Sequence, residues 1–109
     1  MRRRDLNQNN PRKFGNAAED RIAKRGYKKT PGSGSSSVKG DLRRGGFMIE
    51  VKATKRESFH VSAEIMAKLR NDTLTNGKRG VLIIETGDGN KFAVMPLSTF
   101  EELVPENDD

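Results

Sequence analysis

Asp41, Glu50 and Lys52 are the side chains in this 109-residue chain whose types and spacing could do chemistry. Gly45-Gly46 lies between the two acids, and residues alternate on either side of it from Val38 to Thr54, which is a β-hairpin signal. With the glycine pair as a two-residue turn, Arg44 stands opposite Phe47, Leu42 opposite Ile49 and Val38 opposite Ala53. The apolar side chains then share one face with Val51. The other face sets Asp41 against Glu50 and Lys39 against Lys52. Directly opposed residues have Cβ atoms about 4.5–5.5 Å apart. A slip of one residue would turn every side chain to the wrong face, so burial of the apolar set pins the register.

Two facing carboxylates repel, so either one keeps its proton or a cation sits between them. Oxygen ligands with no cysteine and no nearby histidine favour a hard ion, Mg²⁺ or Mn²⁺, over zinc. Lys52 projects from the same face as Glu50, where an ammonium can hold a phosphate, orient the attacking water or lower its pKa. The ion would bind that water and stabilise the charge that develops on phosphorus oxygens. The chemistry indicated is phosphodiester hydrolysis. The spacing Asp-x(8)-Glu-x-Lys is common as a bare pattern, and the same three residues also read as the solvated face of an amphipathic strand pair.

The elements that must position these residues follow from periodicity and punctuation. Asn10-Pro11 is a helix start, Phe14, Ala17, Ala18 and Ile22 recur at helical spacing, and Gly26 is a stop, which predicts a first helix over about 11–25. Tyr27 to Thr30 reads as a short strand. Ser62 can cap a second helix with Ile65, Met66, Leu69 and Thr73 as its buried stripe, ended by Asn76-Gly77. Val81 to Ile84 is continuously apolar, the pattern of a strand covered on both faces. Gly87-Asp88-Gly89-Asn90 turns the chain into a strand from Lys91 to Met95, stopped by Pro96. Ser98 and Glu101 form a capping box for a short last helix. Phe47, Phe92 and Phe100 are expected in the core. The fold class is therefore α/β of the mixed kind, with helices flanking a mixed central sheet in the order α-β-β-β-α-β-β and a last short helix.

Charge is divided along the chain. Residues 1–44 hold 13 Lys and Arg against 4 Asp and Glu, while residues 45–109 hold 8 against 11. A basic first half suits a polyanionic partner, and the acidic end suits a surface kept away from it. Three parts are expected: a basic arm over 1–9, one folded domain over 10–104 and an acidic tail over 105–109. Hydrophobic residues make up 32% of the chain, which predicts a small core, and no apolar run approaches the roughly 20 residues that span a bilayer. Met1-Arg2-Arg3-Arg4 leads into Asp5-Leu6-Asn7-Gln8 rather than an apolar stretch, so no secretory signal is read and a cytoplasmic location is expected. Without cysteine there is neither a thiolate zinc site nor a cysteine nucleophile.

Gly40-Asp41 followed by Ile49-Glu50-Val51-Lys52 on a second strand, after a helix bearing an acid, resembles the PD-(D/E)xK nuclease superfamily. Within it, Pro31-Gly32-Ser33-Gly34 leading to Lys39-Gly40-Asp41 is most similar to the small Holliday-junction resolvases of archaea and phages. The resemblance runs over roughly residues 10–85 and is most specific from 31 to 54. It departs from the literal motif in having glycine, not proline, before the aspartate. It implies a restriction-endonuclease-like core, cleavage of branched DNA as a homodimer, and, for a phage-encoded chain, action in the host cytoplasm. By the same resemblance Asp41 and Glu50 become metal ligands and Lys52 the catalytic lysine, with the Val51 carbonyl as a further ligand. Glu19 on the first helix matches the acid that completes the site, with Asp20 as its rival. Ser33 and Ser35 belong to the loop that reaches the scissile phosphate.

Further DNA contacts are expected from Arg2, Arg3 and Arg4 in the arm and from Lys39, Arg43, Lys55 and Arg56 around the hairpin. His60, the single histidine, reads as an ordinary strand-end residue. Six aromatic residues without regular spacing give no signal of base stacking. The expected activity is thus Mg²⁺-dependent DNA cleavage, structure-selective at four-way junctions. A nicking or structure-unspecific nuclease and a non-catalytic DNA-binding module are the alternatives.

Overall fold

A computed structural model of the chain describes residues 11–29 and 42–106. Among the described residues three helices and five strands follow in the expected order: α1 (Pro11–Ala23), β1 (Lys28–Lys29), β2 (Leu42–Arg44), β3 (Phe47–Ala53), α2 (Ala63–Asn76), β4 (Arg79–Glu85), β5 (Lys91–Val94) and α3 (Leu97–Leu103). The strands form one mixed sheet in the order β1-β2-β3-β4-β5, with β3 and β4 parallel and every other pair antiparallel. The fold is mixed α/β, a five-stranded sheet flanked by helices.

The hairpin register is the one its pattern requires. Leu42 pairs with Ile49, Arg43 with Met48 and Arg44 with Phe47. Gly45 and Gly46 take φ of 50° and 83°, so both turn residues are left-handed, the geometry whose twist matches paired strands. Asp41, Lys39 and Val38 lie outside the described residues.

Alternation sorts the sheet into two apolar layers. On one face Leu42, Ile49, Val81 and Ile83 are buried with Ile22 of α1. On the other Leu82 and Ile84 are buried with Leu69 of α2, and Phe59, Val61, Ile65 and Val94 pack around them. Val81 to Ile84 are accordingly all buried, as a strand covered on both sides must be. Helix α2 lies so close on β4 that a Cβ at Gly80 would stand 2.7 Å from the Leu69 carbonyl oxygen. The Ser62 hydroxyl accepts the Ile65 amide at 3.2 Å and caps α2 as expected.

Several expectations fail at the margins. Met66 is exposed rather than part of the α2 stripe, and Phe92 and Phe100 are 54% and 49% exposed instead of core. Strand β5 is the sheet edge, and α3 directs Leu97, Phe100 and Leu103 outward while Thr99 is buried. Helix α3 starts directly after Pro96 with no side-chain cap, so Ser98 lies inside its first turn.

Candidate active site

Glu50 sits at the middle of β3, the central strand, where alternation turns it away from Ile49 and Val51 and toward the α2 side. Its side chain is 16% exposed. One carboxylate oxygen, Oε2, faces the Lys52 ammonium at 3.5 Å, and the other, Oε1, faces the ammonium of Lys68 on α2 at 3.4 Å. The structure thus brings Glu50 and Lys52 together on one face, as their spacing requires. It adds Lys68, which sequence reasoning missed because a lysine on an amphipathic helix reads as solvated surface. The only available signal was its position one residue before Leu69, at the border of the buried stripe. Arg43 is exposed and pairs with Met48, which puts it on the face of Glu50.

Other predicted residues fall elsewhere. Glu19 is half-buried on α1, and α1 packs against the Ile49 and Val51 face, opposite to that of Glu50. Its rival Asp20 accepts a hydrogen bond from Lys29 at 2.6 Å, and that ammonium holds the Asp20 carboxyl below the usual carboxylate range. Val51 lies between Glu50 and Lys52 with its side chain on the α1 face. Lys55 places its ammonium over the Phe14 ring, 5.3 Å from the centroid. Arg56 is exposed beyond the end of β3, and its amide bonds the Thr54 hydroxyl at 3.1 Å. His60 is exposed. Asp41, Arg2, Arg3, Arg4, Ser33, Ser35 and Lys39 lie outside the described residues. Among the described residues no three acids or histidines gather as a metal-binding group. There the donor chemistry of Glu50 suits a hard cation, yet it stands as one carboxylate between two ammonium groups.

A second charged cluster, also missed, lies at the carboxyl end of β4 on the α1 face. The buried Glu85 carboxylate accepts two hydrogen bonds from Arg21 Nε at 3.0 and 3.1 Å and a third from its Nη2, with Lys91 at 3.4 Å. The Arg21 hydrogen bonds hold its pKa below the usual range, against the opposing effect of burial. Phe14, Thr54 and Lys55 complete a cleft of about 360 Å³ around it. Beside this cleft the loops that follow β3 and β4 are joined, with the Gly87 amide donating to the Arg56 carbonyl at 2.7 Å. A Cβ at Gly87 would collide with the Lys55 backbone, 2.1 Å from its carbonyl oxygen.

No protein-family model matches this chain, and comparisons with curated proteins and with solved structures return no similar protein. No helix among the described residues is long and apolar enough to cross a membrane.

Proposed function

We propose that this chain is a small metal-dependent DNA endonuclease of the PD-(D/E)xK kind, structure-selective in the manner of a junction resolvase. The observation that supports this reading above the others is the Glu50–Lys52 pair on the central strand, beside the pairing of Leu42 with Ile49. One further residue along that register would oppose Asp41 to Glu50. Those two carboxylates, with the Val51 carbonyl as a further donor, would hold Mg²⁺, or Mn²⁺ in its place, while Glu19 lies on α1 across the sheet from Glu50 and is not among the donors. When bound, such an ion supplies positive charge for the developing oxyanion and lowers the pKa of a coordinated water.

The chain's own residues do the rest. Lys52 holds the scissile phosphate or orients the attacking water, and Arg43, Lys55 and Arg56 take flanking phosphates. A homodimer supplies the two symmetric cuts that a four-way junction needs. Val81 to Ile84 are buried and leave no surface for a partner, whereas edge strand β5 remains a candidate interface. A second reading, a DNA-binding module whose acids are structural, is favoured by the two lysines that neutralise Glu50.

The test is a cleavage assay on four-way junctions, flaps, nicked and linear duplex with Mg²⁺ and with chelator. Junction cleavage that disappears in Glu50→Gln and Lys52→Ala, with DNA binding retained, supports the resolvase. Preference for linear or nicked DNA leaves the nuclease and removes the junction selectivity. Binding with no metal-dependent cleavage by the wild type sinks the enzyme and leaves the module.

A further inference from the structure

Lys28, Arg43, Arg44 and Lys78 come from β1, β2 and the loop before β4, and they line one cleft of about 310 Å³ at the turn of the β2–β3 hairpin. All four are exposed, and the cleft lining contains no acid. Among the described residues none of the four is paired with a carboxylate, whereas Arg21, Lys29, Lys52, Arg79 and Lys91 all are. Like charges gathered without a counter-charge on the protein repel one another, and an anion in the cleft relieves that repulsion.

The cleft is built as well as charged. The Arg44 guanidinium lies 4.9 Å from the centroid of the Tyr27 ring and its Nη1 donates to the Arg25 carbonyl at 3.2 Å. Ring and carbonyl hold the planar fork in place and leave it its charge. Lys28 and Arg43 are directly opposed across β1 and β2, so they share one face. The Arg79 amide donates to the Gly46 carbonyl at 3.2 Å, which keeps Lys78 beside the turn. A Cβ at Gly45 or Gly46 would meet nothing within 4 Å, so the bare turn backbone is open to close approach.

From this we infer that the cleft binds the phosphates of a nucleic-acid strand without regard to base sequence. Its one large apolar side chain, Phe47, is half-buried, and a concave basic surface of that kind fits a phosphodiester chain. An anionic membrane is gripped instead by basic residues beside inserted apolar ones. Gly46 stands four residues before Glu50, about 13 Å at the rise of a strand, so a short stretch of backbone is long enough to meet both places. The inference rests on nucleic acid as the ligand of the proposed function, and on neither the cation nor the cleavage step.

The experiment follows binding of the full chain to a labelled duplex of about 20 base pairs by fluorescence anisotropy, in chelator, over about 50 to 200 mM salt. Lys28→Gln/Lys78→Gln should flatten the slope of log affinity against log salt by about 1.8, roughly 0.9 for each lost phosphate contact, and weaken binding at least about tenfold at the lowest salt. Lys24→Gln/Arg70→Gln removes the same charge from exposed positions outside the cleft and should weaken binding less than about threefold. Thermal melting checks that both pairs of substitutions leave the chain folded. Equal losses in the two variants would reduce the effect to overall charge and overturn the site. Unchanged DNA binding in Lys28→Gln/Lys78→Gln overturns it too, while metal-dependent cleavage by the wild type would keep the nuclease reading standing. A wild type that binds no DNA removes the site's ligand and the proposed function together. Vesicles rich in phosphatidylserine form a second arm, and loss of vesicle binding with DNA binding kept would give the cleft to a membrane and overturn the inference.

Discussion

Glu50 and Glu85 are carboxylates on adjacent parallel strands, each flanked by two cations, yet they are built for different ends. Glu85 is buried and clamped by three hydrogen bonds from one guanidinium, a planar fork that matches a carboxylate. Glu50 is held by two separate lysines at 3.4 and 3.5 Å, each side chain more than two-fifths exposed. The Arg21 clamp ties α1 to the sheet and has little freedom left. The lysines around Glu50 form no such fork with it. A charged residue inside a fold therefore shows its role less by its burial than by whether its partners are directional and preorganised.

The largest effect that would sharpen this contrast is on activity. Glu50→Gln should lower DNA cleavage at least about 100-fold, while the unfolding free energy measured in urea changes by less than about 1 kcal/mol because its ion pairs are long. A large loss of stability in Glu50→Gln would break the comparison. Next in size, Glu85→Ala should destabilise the fold by about 2 kcal/mol in urea unfolding, less than for a fully buried pair because Arg21 is half-exposed. Its cleavage rate per folded molecule should stay within about threefold of wild type, since Glu85 lies on the sheet face away from Glu50.

The same clamp predicts a pH dependence. The Arg21 hydrogen bonds lower the folded-state pKa of Glu85 below its unfolded value of about 4.3. Its contribution is therefore complete above that value and is lost as the pH falls through the lower, folded one. Stability measured from pH 6 to pH 3 should drop more steeply in the wild type than in Glu85→Gln, and equal slopes would show that the clamp contributes nothing. Smallest of all, Lys91→Met should cost about 0.5 kcal/mol, because Lys91 is the looser partner of Glu85. A cost matching that of Glu85→Ala would assign the clamp to Lys91 rather than Arg21.

The order of elements, the hairpin register and the two faces of β3 were legible because each depends on local periodicity and turn chemistry. Once Gly45-Gly46 makes the turn, Leu42 must meet Ile49 and Glu50 must face away from Val51. Contacts between distant elements were not legible. Nothing near Arg21 announces a partner 64 residues away, although an acid closing the run from Val81 to Ile84 was a sign that a cation would be found for it. Lys68 was hidden for the same reason, since helical spacing tells which side of α2 is apolar and not what stands opposite its border. Phe92 and Phe100 misled because hydrophobicity marks a residue for burial without saying whether another layer exists to cover it. The candidate site was readable in its strand half, Glu50 and Lys52, and unreadable in its helical half.

The junction of the loops after β3 and β4 has a consequence for motion. The Gly87 amide proton belongs to an exposed residue, so ordinary expectation would have it trade with deuterium quickly, but it is tied to the Arg56 carbonyl. Its exchange rate becomes a clock for how often the two loops part. A strand that grips Lys55 or Arg56 should slow that clock even where no contact with Gly87 is made.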